Sequence, residues 1–348
     1  MKNNLVKIFE DTIISNYDDN GNTINNLIKL NIINLNDLVE EIIKTKNIEY
    51  IFKLALYIEN APVDKLIDII CETAESGYYI FALAEFDNAP MNKLADTIIR
   101  INDVEDILYF AEHIYNAPID KLADAMIKTG DTEFIYFFAR DVENAPIDKL
   151  AKAIIDSENA EYIFAFADTV RYAPINELAE AIIKTKNIEY IYLFASNVVT
   201  APIDKLVNIV IASNNAEYIY YFAKNVENAP INKLANAIIK ANDAHYIYLF
   251  AKNVKKAPIN KLAKAIIETN DMQHIKLFFK DIKNKSITKL SNIPEITYSD
   301  EDIESENYDI LLSYAKENNY EQIEENKEEF ATIFNDNKPK KLIKKKIK

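Results

Sequence analysis

Residues 143–156 read "ENAPIDKLAKAIID" and residues 227–240 read "ENAPINKLANAIIK". The Ala-Pro pair inside this phrase stands at Ala61, Ala89, Ala117, Ala145, Ala173, Ala201, Ala229 and Ala257, each 28 residues after the one before. A fixed period of this size marks a stack of small units, none of which can bury its apolar face except against its neighbour. The fold therefore has to be read from one unit and then multiplied.

The unit that starts at Ala145 serves as the specimen. Pro146 suits a first helical turn, where a missing N–H costs nothing. Ile147, Leu150, Ala151, Ile154 and Ile155 follow at the spacing of one helical face. Asn159 then occupies an N-cap position, matched by Asn47, Asp103, Asp131, Asn187, Asn215, Asp243 and Asp271, and it opens a second helix with Ile163, Phe166, Ala167 and Val170 as its apolar stripe. Two helices of about 11 residues and two short turns use up the period, so no strand fits. Asn60, Asn88, Asn116, Asn144 and Asn228 precede the Ala-Pro pair, where a left-handed residue would end the second helix. In the first full unit, "ESGYYIFALAEFDN" displaces the aromatic run by one residue, which reads as a loop insertion at Gly77 offset by a shorter second helix.

The predicted fold class is all-α, a right-handed superhelical solenoid of two-helix repeats, elongated or arc-shaped. Its expected organisation is an N-terminal helical cap over 1–32, a degenerate repeat over 33–60, eight full repeats over 61–284, a truncated repeat over 285–295, an acidic helical cap over 296–335 and a basic tail over 336–348. From about Ile33 to Ile293 the helix-turn-helix unit, with its phrase "APIDKLAKAII…AEYIFAFA", resembles the solenoids of the HEAT, armadillo and tetratricopeptide class. The resemblance is architectural. The 28-residue unit is shorter than theirs and lacks the tetratricopeptide Trp, Leu-Gly and Tyr pattern, so it carries over no functional residue, and a fold by itself assigns no function.

Composition narrows the function by exclusion. No apolar run is long enough to cross a bilayer and the first residues do not read as a signal peptide, so the expected location is cytoplasmic. The one cysteine, Cys71, excludes an internal disulfide and reads as a small buried hydrophobe. His113, His245 and His274 are the only histidines, none has a cysteine or second histidine at metal-ligand spacing, and no phosphate-binding loop occurs. "NYDDNGNTINNL", from Asn16, imitates a calcium loop, but Leu27 stands where the bidentate glutamate is needed, and a turn between two helices is the better reading. No cofactor or metal is expected, and catalysis is not indicated.

Any message must then lie in the letters that vary. On a helical wheel the second helix turns Glu161, Phe164, Ala165 and Asp168 away from its stripe. The Phe164 column runs Leu108, Tyr136, Phe164, Tyr192, Tyr220, Tyr248 and Lys276, beside Tyr109, Phe137, Ala165, Leu193, Tyr221, Leu249 and Leu277. Such rings either pack between successive helices with the tyrosine hydroxyls in water, or line a face that offers aromatic anchors to a partner. The Asp168 column drifts from acid to base as Glu112, Arg140, Asp168, Ser196, Lys224, Lys252 and Lys280, and the whole repeats follow it, acidic at first and basic in the last two. Residues 296–330 then carry twelve acidic side chains against Lys316 and Lys327, as a cap for the basic end or as a competitor for its ligand. Lys149 and its counterparts, with Asp148 and the matching Asp or Asn beside them, suggest a surface ladder of pairs between neighbouring units, with a ligand-binding lysine row as the alternative.

The leading expectation is a non-enzymatic scaffold that binds a protein or peptide through the exposed face of the second helices. The candidate contacts are Tyr109, Tyr136, Phe137, Phe164, Tyr192, Tyr220, Tyr221, Tyr248, Arg140, Lys224, Lys252 and Lys280. One alternative is a nucleic-acid-binding repeat protein using the basic repeats and the lysine-rich tail, although a net charge of −15 opposes it. The other is head-to-tail self-assembly of acidic front and basic rear, against which stands a simple monomer.

Overall fold

The computed structural model describes residues 3–15 and 20–282, and every regular element among them is helical. The truncated repeat, the acidic segment and the basic tail expected after residue 284 lie outside the described residues. The chain divides into two compact units, Met1–Pro174 and Ile175–Lys348. In the first, α1 (Asn3–Phe9) runs into a π-helical turn (Glu10–Ile14), and α2 (Asn22–Lys29) follows. Then come α3 (Leu35–Lys44), α4 (Ile48–Tyr57), α5 (Val63–Thr73), α6 (Tyr78–Ala84), α7 (Met91–Ile101), α8 (Val104–His113), α9 (Ile119–Thr129), α10 (Thr132–Asp141), α11 (Ile147–Asp156) and α12 (Ala160–Thr169). The second unit holds α13 (Ile175–Thr185), α14 (Ile188–Asn197), α15 (Ile203–Ala212), α16 (Ala216–Asn225), α17 (Ile231–Ala241), α18 (Ala244–Asn253), α19 (Ile259–Glu268) and α20 (Met272–Asp281). From α3 onward, odd numbers are first helices of a repeat and even numbers are second helices. From α4 onward each helix packs on its partner in the repeat and on a counterpart one repeat away, as a helical solenoid requires.

The stripes read from the sequence are the core. Leu66, Leu94, Leu122, Leu150, Leu178, Leu206, Leu234 and Leu262 are fully buried in the first helices, and Phe110, Phe138, Phe166, Phe194, Phe222, Phe250 and Phe278 in the second. Ile154 is buried with them, while Ile147 and Ile155 lie half-buried at the edge of the stripe. Burying a side chain of this size stabilises by about 1.5–3 kcal/mol, so each repeat depends on a few such groups. Cys71 is buried, and burial pushes its thiol above the ordinary value, as expected of a small core residue. Among α8, α10 and α12 of the first unit, and throughout the second unit, neighbouring second helices pack more closely than neighbouring first helices.

The turns follow from local chemistry. All eight N-caps bond as the sequence implies, Asn159 accepting from the backbone of Glu161 at 3.0 Å and Asp271 from that of His274 at 3.0 Å. Asn60, Asn88, Asn116, Asn144 and Asn228 are left-handed, with φ of 58–60°. A second left-handed position recurs between the two helices, at Asn102, Gly130, Glu158, Lys186, Asn214, Asn242 and Asn270, and it is not evident from the sequence because lysine and glutamate share it with Asn and Gly. Pro146 and its counterparts cap their helices instead of sitting in the first turn: the Pro146 carbonyl accepts from Leu150 at 3.1 Å, and the helix starts one residue later. Gly77 begins the shortened α6, and the backbone N–H there donates to Asp106 Oδ2 at 2.9 Å. A carboxylate borrowed from the following repeat thus replaces the missing cap.

Candidate functional site

The second helices place the Phe164 column between repeats. Tyr136, Tyr220 and Tyr248 are buried, and Phe164 and Tyr192 are half-buried. Each of these tyrosine rings lies against the third residue of the next second helix in its unit. Centroid distances are 5.9 Å for Tyr136 on Tyr162, 6.0 Å for Tyr192 on Tyr218 and for Tyr220 on Tyr246, and 6.5 Å for Tyr248 on His274. The hydroxyls reach side chains 33 residues further on. Tyr136 Oη lies 2.9 Å from Thr169 Oγ1, Asn225 Nδ2 donates to Tyr192 Oη at 2.7 Å, Asn253 Nδ2 donates to Tyr220 Oη at 2.8 Å, and Tyr248 Oη donates to Asp281 Oδ2 at 2.5 Å. These rings therefore serve first as joints between repeats.

The neighbouring column is more open. Tyr109 is 46% exposed and stacks on His113 with centroids 4.3 Å apart, while Phe137 and Tyr221 are half-buried. In the third column Arg140, Lys224, Lys252 and Lys280 are exposed. Arg140 lies over the rings of Tyr136 and Phe137, at 5.2 Å and 4.8 Å, and its fork bonds both oxygens of Asp141 at 2.7 Å. The ammonium of Lys224 sits 5.6 Å from the Tyr220 ring centre and that of Lys252 5.2 Å from that of Tyr248. Lys252 also reaches Asp281 at 2.6 Å, and this cation holds the Asp281 carboxyl below its ordinary range. Arg140, Lys224 and Lys252 thus roof the rings, and the charges of Arg140 and Lys252 are paired with Asp141 and Asp281.

A further row escaped the sequence reading. Phe134, Tyr162, Tyr190, Tyr218, Tyr246 and His274 form the third letter of the second helices, and this column supplies the ring on which each ladder tyrosine rests. Burial, and then the carboxylates of Glu133, Glu189 and Glu217 one repeat earlier, raise the phenols of Tyr162, Tyr218 and Tyr246 respectively. The signal was the unbroken ring content of the column, masked because the wheel sets it beside the stripe.

The lysines of the first helices do form a ladder of pairs between neighbouring repeats, but with partners other than those expected. Their partners are not the adjacent Asp148 type but side chains 25 residues earlier, in the middle of the preceding first helix: Lys93 with Asp68, Lys121 with Asp96 at 2.5 Å, Lys149 with Asp124 and Lys205 with Glu180 at 3.0 Å. Lys233 and Lys261 donate to Asn208 and Asn236 in the same register. These side chains are largely exposed, so each pair contributes well under about 1 kcal/mol and mainly fixes alignment.

Among the described residues no helix is long and apolar enough to cross a membrane, and no group of three or more His, Cys, Asp or Glu side chains is placed to hold a metal ion. No family model, curated protein or solved structure matches the chain.

Proposed function

We propose that the chain is a non-enzymatic scaffold that binds a protein or peptide segment on the face of its second helices. The docking strip is the row Lys224, Lys252 and Lys280, with Tyr221, Leu249 and Leu277 beside it. The observation that supports this reading is the exposure of one cation per repeat on α16, α18 and α20, next to a half-buried apolar column. Neighbouring helices stand about 8–10 Å apart, and a polyproline II chain advances about 3.1 Å per residue with three residues per turn, so a segment with an acidic residue at every third position would present each one to a lysine in turn.

Fluorescence anisotropy of labelled extended peptides, with glutamate at every third position and leucine between, tests the proposal. Salt-weakened binding that disappears in the variant K224E/K252E/K280E is expected. Single-stranded RNA and DNA serve as the competing arm: binding of oligonucleotides without binding of peptides would replace this reading with the nucleic-acid one. Light scattering at low salt decides the third reading, since a monomer that does not grow with concentration excludes head-to-tail assembly.

A further inference from the structure

His245 and His274 are 29 residues apart, yet stacking of α18 and α20 brings their rings together. His245 Nδ1 and His274 Nε2 are 3.2 Å apart, with ring centroids at 5.2 Å and planes crossing at 74°. On the far side of the second ring, His274 Nδ1 lies 2.9 Å from Asp271 Oδ2, while Asp271 Oδ1 accepts from the His274 backbone N–H at 3.0 Å. A carboxylate accepts only, so the proton of neutral His274 sits on Nδ1 and the Nε2 lone pair faces His245. His245 itself is exposed.

We propose that these two histidines form a surface site for a divalent late transition-metal ion of the zinc, nickel or copper class. Two imidazole nitrogens at about 2.0–2.1 Å from one tetrahedral ion lie about 3.3–3.4 Å apart, close to the separation in place here. Asp271 supplies the outer support that metal-binding histidines commonly have: it fixes the tautomer and orients the ring. Binding asks for one proton shift, from Nδ1 to the solvent-facing Nε2 of His245, and for no backbone movement. Water fills the remaining coordination positions. Imidazole ligands select this class of ion over magnesium or calcium. The spacing of 29 is one repeat plus one residue, which is why no metal motif shows within either helix.

Calorimetric titration of the full chain with zinc chloride tests the site. One saturable site per chain is expected above any weak binding by scattered carboxylates. H245Q and H274Q should each abolish it, and D271N, which keeps an oxygen for the cap, should weaken it by about 10–100-fold. Nitrogen-15 spectra of the histidine rings provide the second readout: zinc should move the ring signals of His245 and His274 and leave those of His113 in place. Zinc binding of unchanged affinity in the H245Q/H274Q variant, or equal shifts at all three histidines, would overturn the proposal. H245Q alters an exposed side chain, so circular dichroism should show an intact fold and a lost site together.

Discussion

Asp106 stands where later repeats carry an aromatic ring, and its carboxyl is pushed above the ordinary value near 3.8, first by burial and against the opposing hydrogen bond from Gly77. A group whose folded value is raised contributes stability that is complete below its unfolded value and is lost as pH rises through the folded one. Asp106→Asn keeps an oxygen for the Gly77 N–H and carries no charge. It should therefore melt higher than the parent at pH 7, with the gap closing as melts are repeated down to pH 4; a constant gap would show that the carboxylate carries no burial cost. Tyr220 offers a separate test at this scale. Tyr220→Phe removes only the bond from Asn253 and should cost about 1 kcal/mol, whereas Tyr220→Ala also empties a buried ring site and should cost about 3–5 kcal/mol in urea melts. Equal, small losses would return the ring to the class of free surface anchors. The burial of this residue was one of the two readings open from the sequence; its hydroxyl partner was not legible, because a link 33 residues long depends on how one helix is rotated against the next.

At the scale of the element, most of the helix grammar could be read directly. The eight N-caps and the Leu and Phe stripes are local facts, set by which side chains can meet backbone N–H groups or share a helical face. The turn between first and second helix was only half visible. Thr45, Thr129, Ser157, Thr185, Ser213 and Thr269 each donate their hydroxyl to a carbonyl three residues back, at 2.6–2.7 Å, and accept from the N–H of the capping residue at 3.1–3.3 Å. This clamp holds a left-handed residue in place even where the residue is unsuited to it. Glu158 has φ of 54°, a conformation that costs a residue with a Cβ about 1–2 kcal/mol and glycine almost nothing. Glu158→Gly should accordingly raise the thermal midpoint, an increase of about 1 kcal/mol after the extra freedom of unfolded glycine is counted. A lower midpoint would mean that the glutamate has a stabilising contact that outweighs its strain.

At the scale of the molecule, the registers of 25 and 33 residues found in the lysine and tyrosine ladders tie each repeat to its neighbours and to nothing further away. Deleting residues 203–230, one whole period, should preserve every kind of link: Tyr192 would face Asn253 in place of Asn225, and Lys233 would face Glu180 in place of Lys205. The shortened chain should show the same helical signal per residue and a cooperative melt. Deleting only residues 203–216 should abolish both ladders across the scar, and a native-like melt there would refute the register argument. The sequence disclosed the period from which this prediction starts, but not the two offsets, since hydrophobic spacing sets which face is buried and leaves the pairing of its margins to the packed structure.

The clamp of one repeat on the next also has a mechanical meaning. Among the described residues the ladder ties span little more than one period, so tension applied across the array should peel it in successive, similar events. Each event would release 28 residues, about 100 Å of extended chain at 3.3–3.6 Å per residue. Optical-trap traces should then show a regular sawtooth, and slack returned to the chain should let it rewind from whichever repeat is still folded.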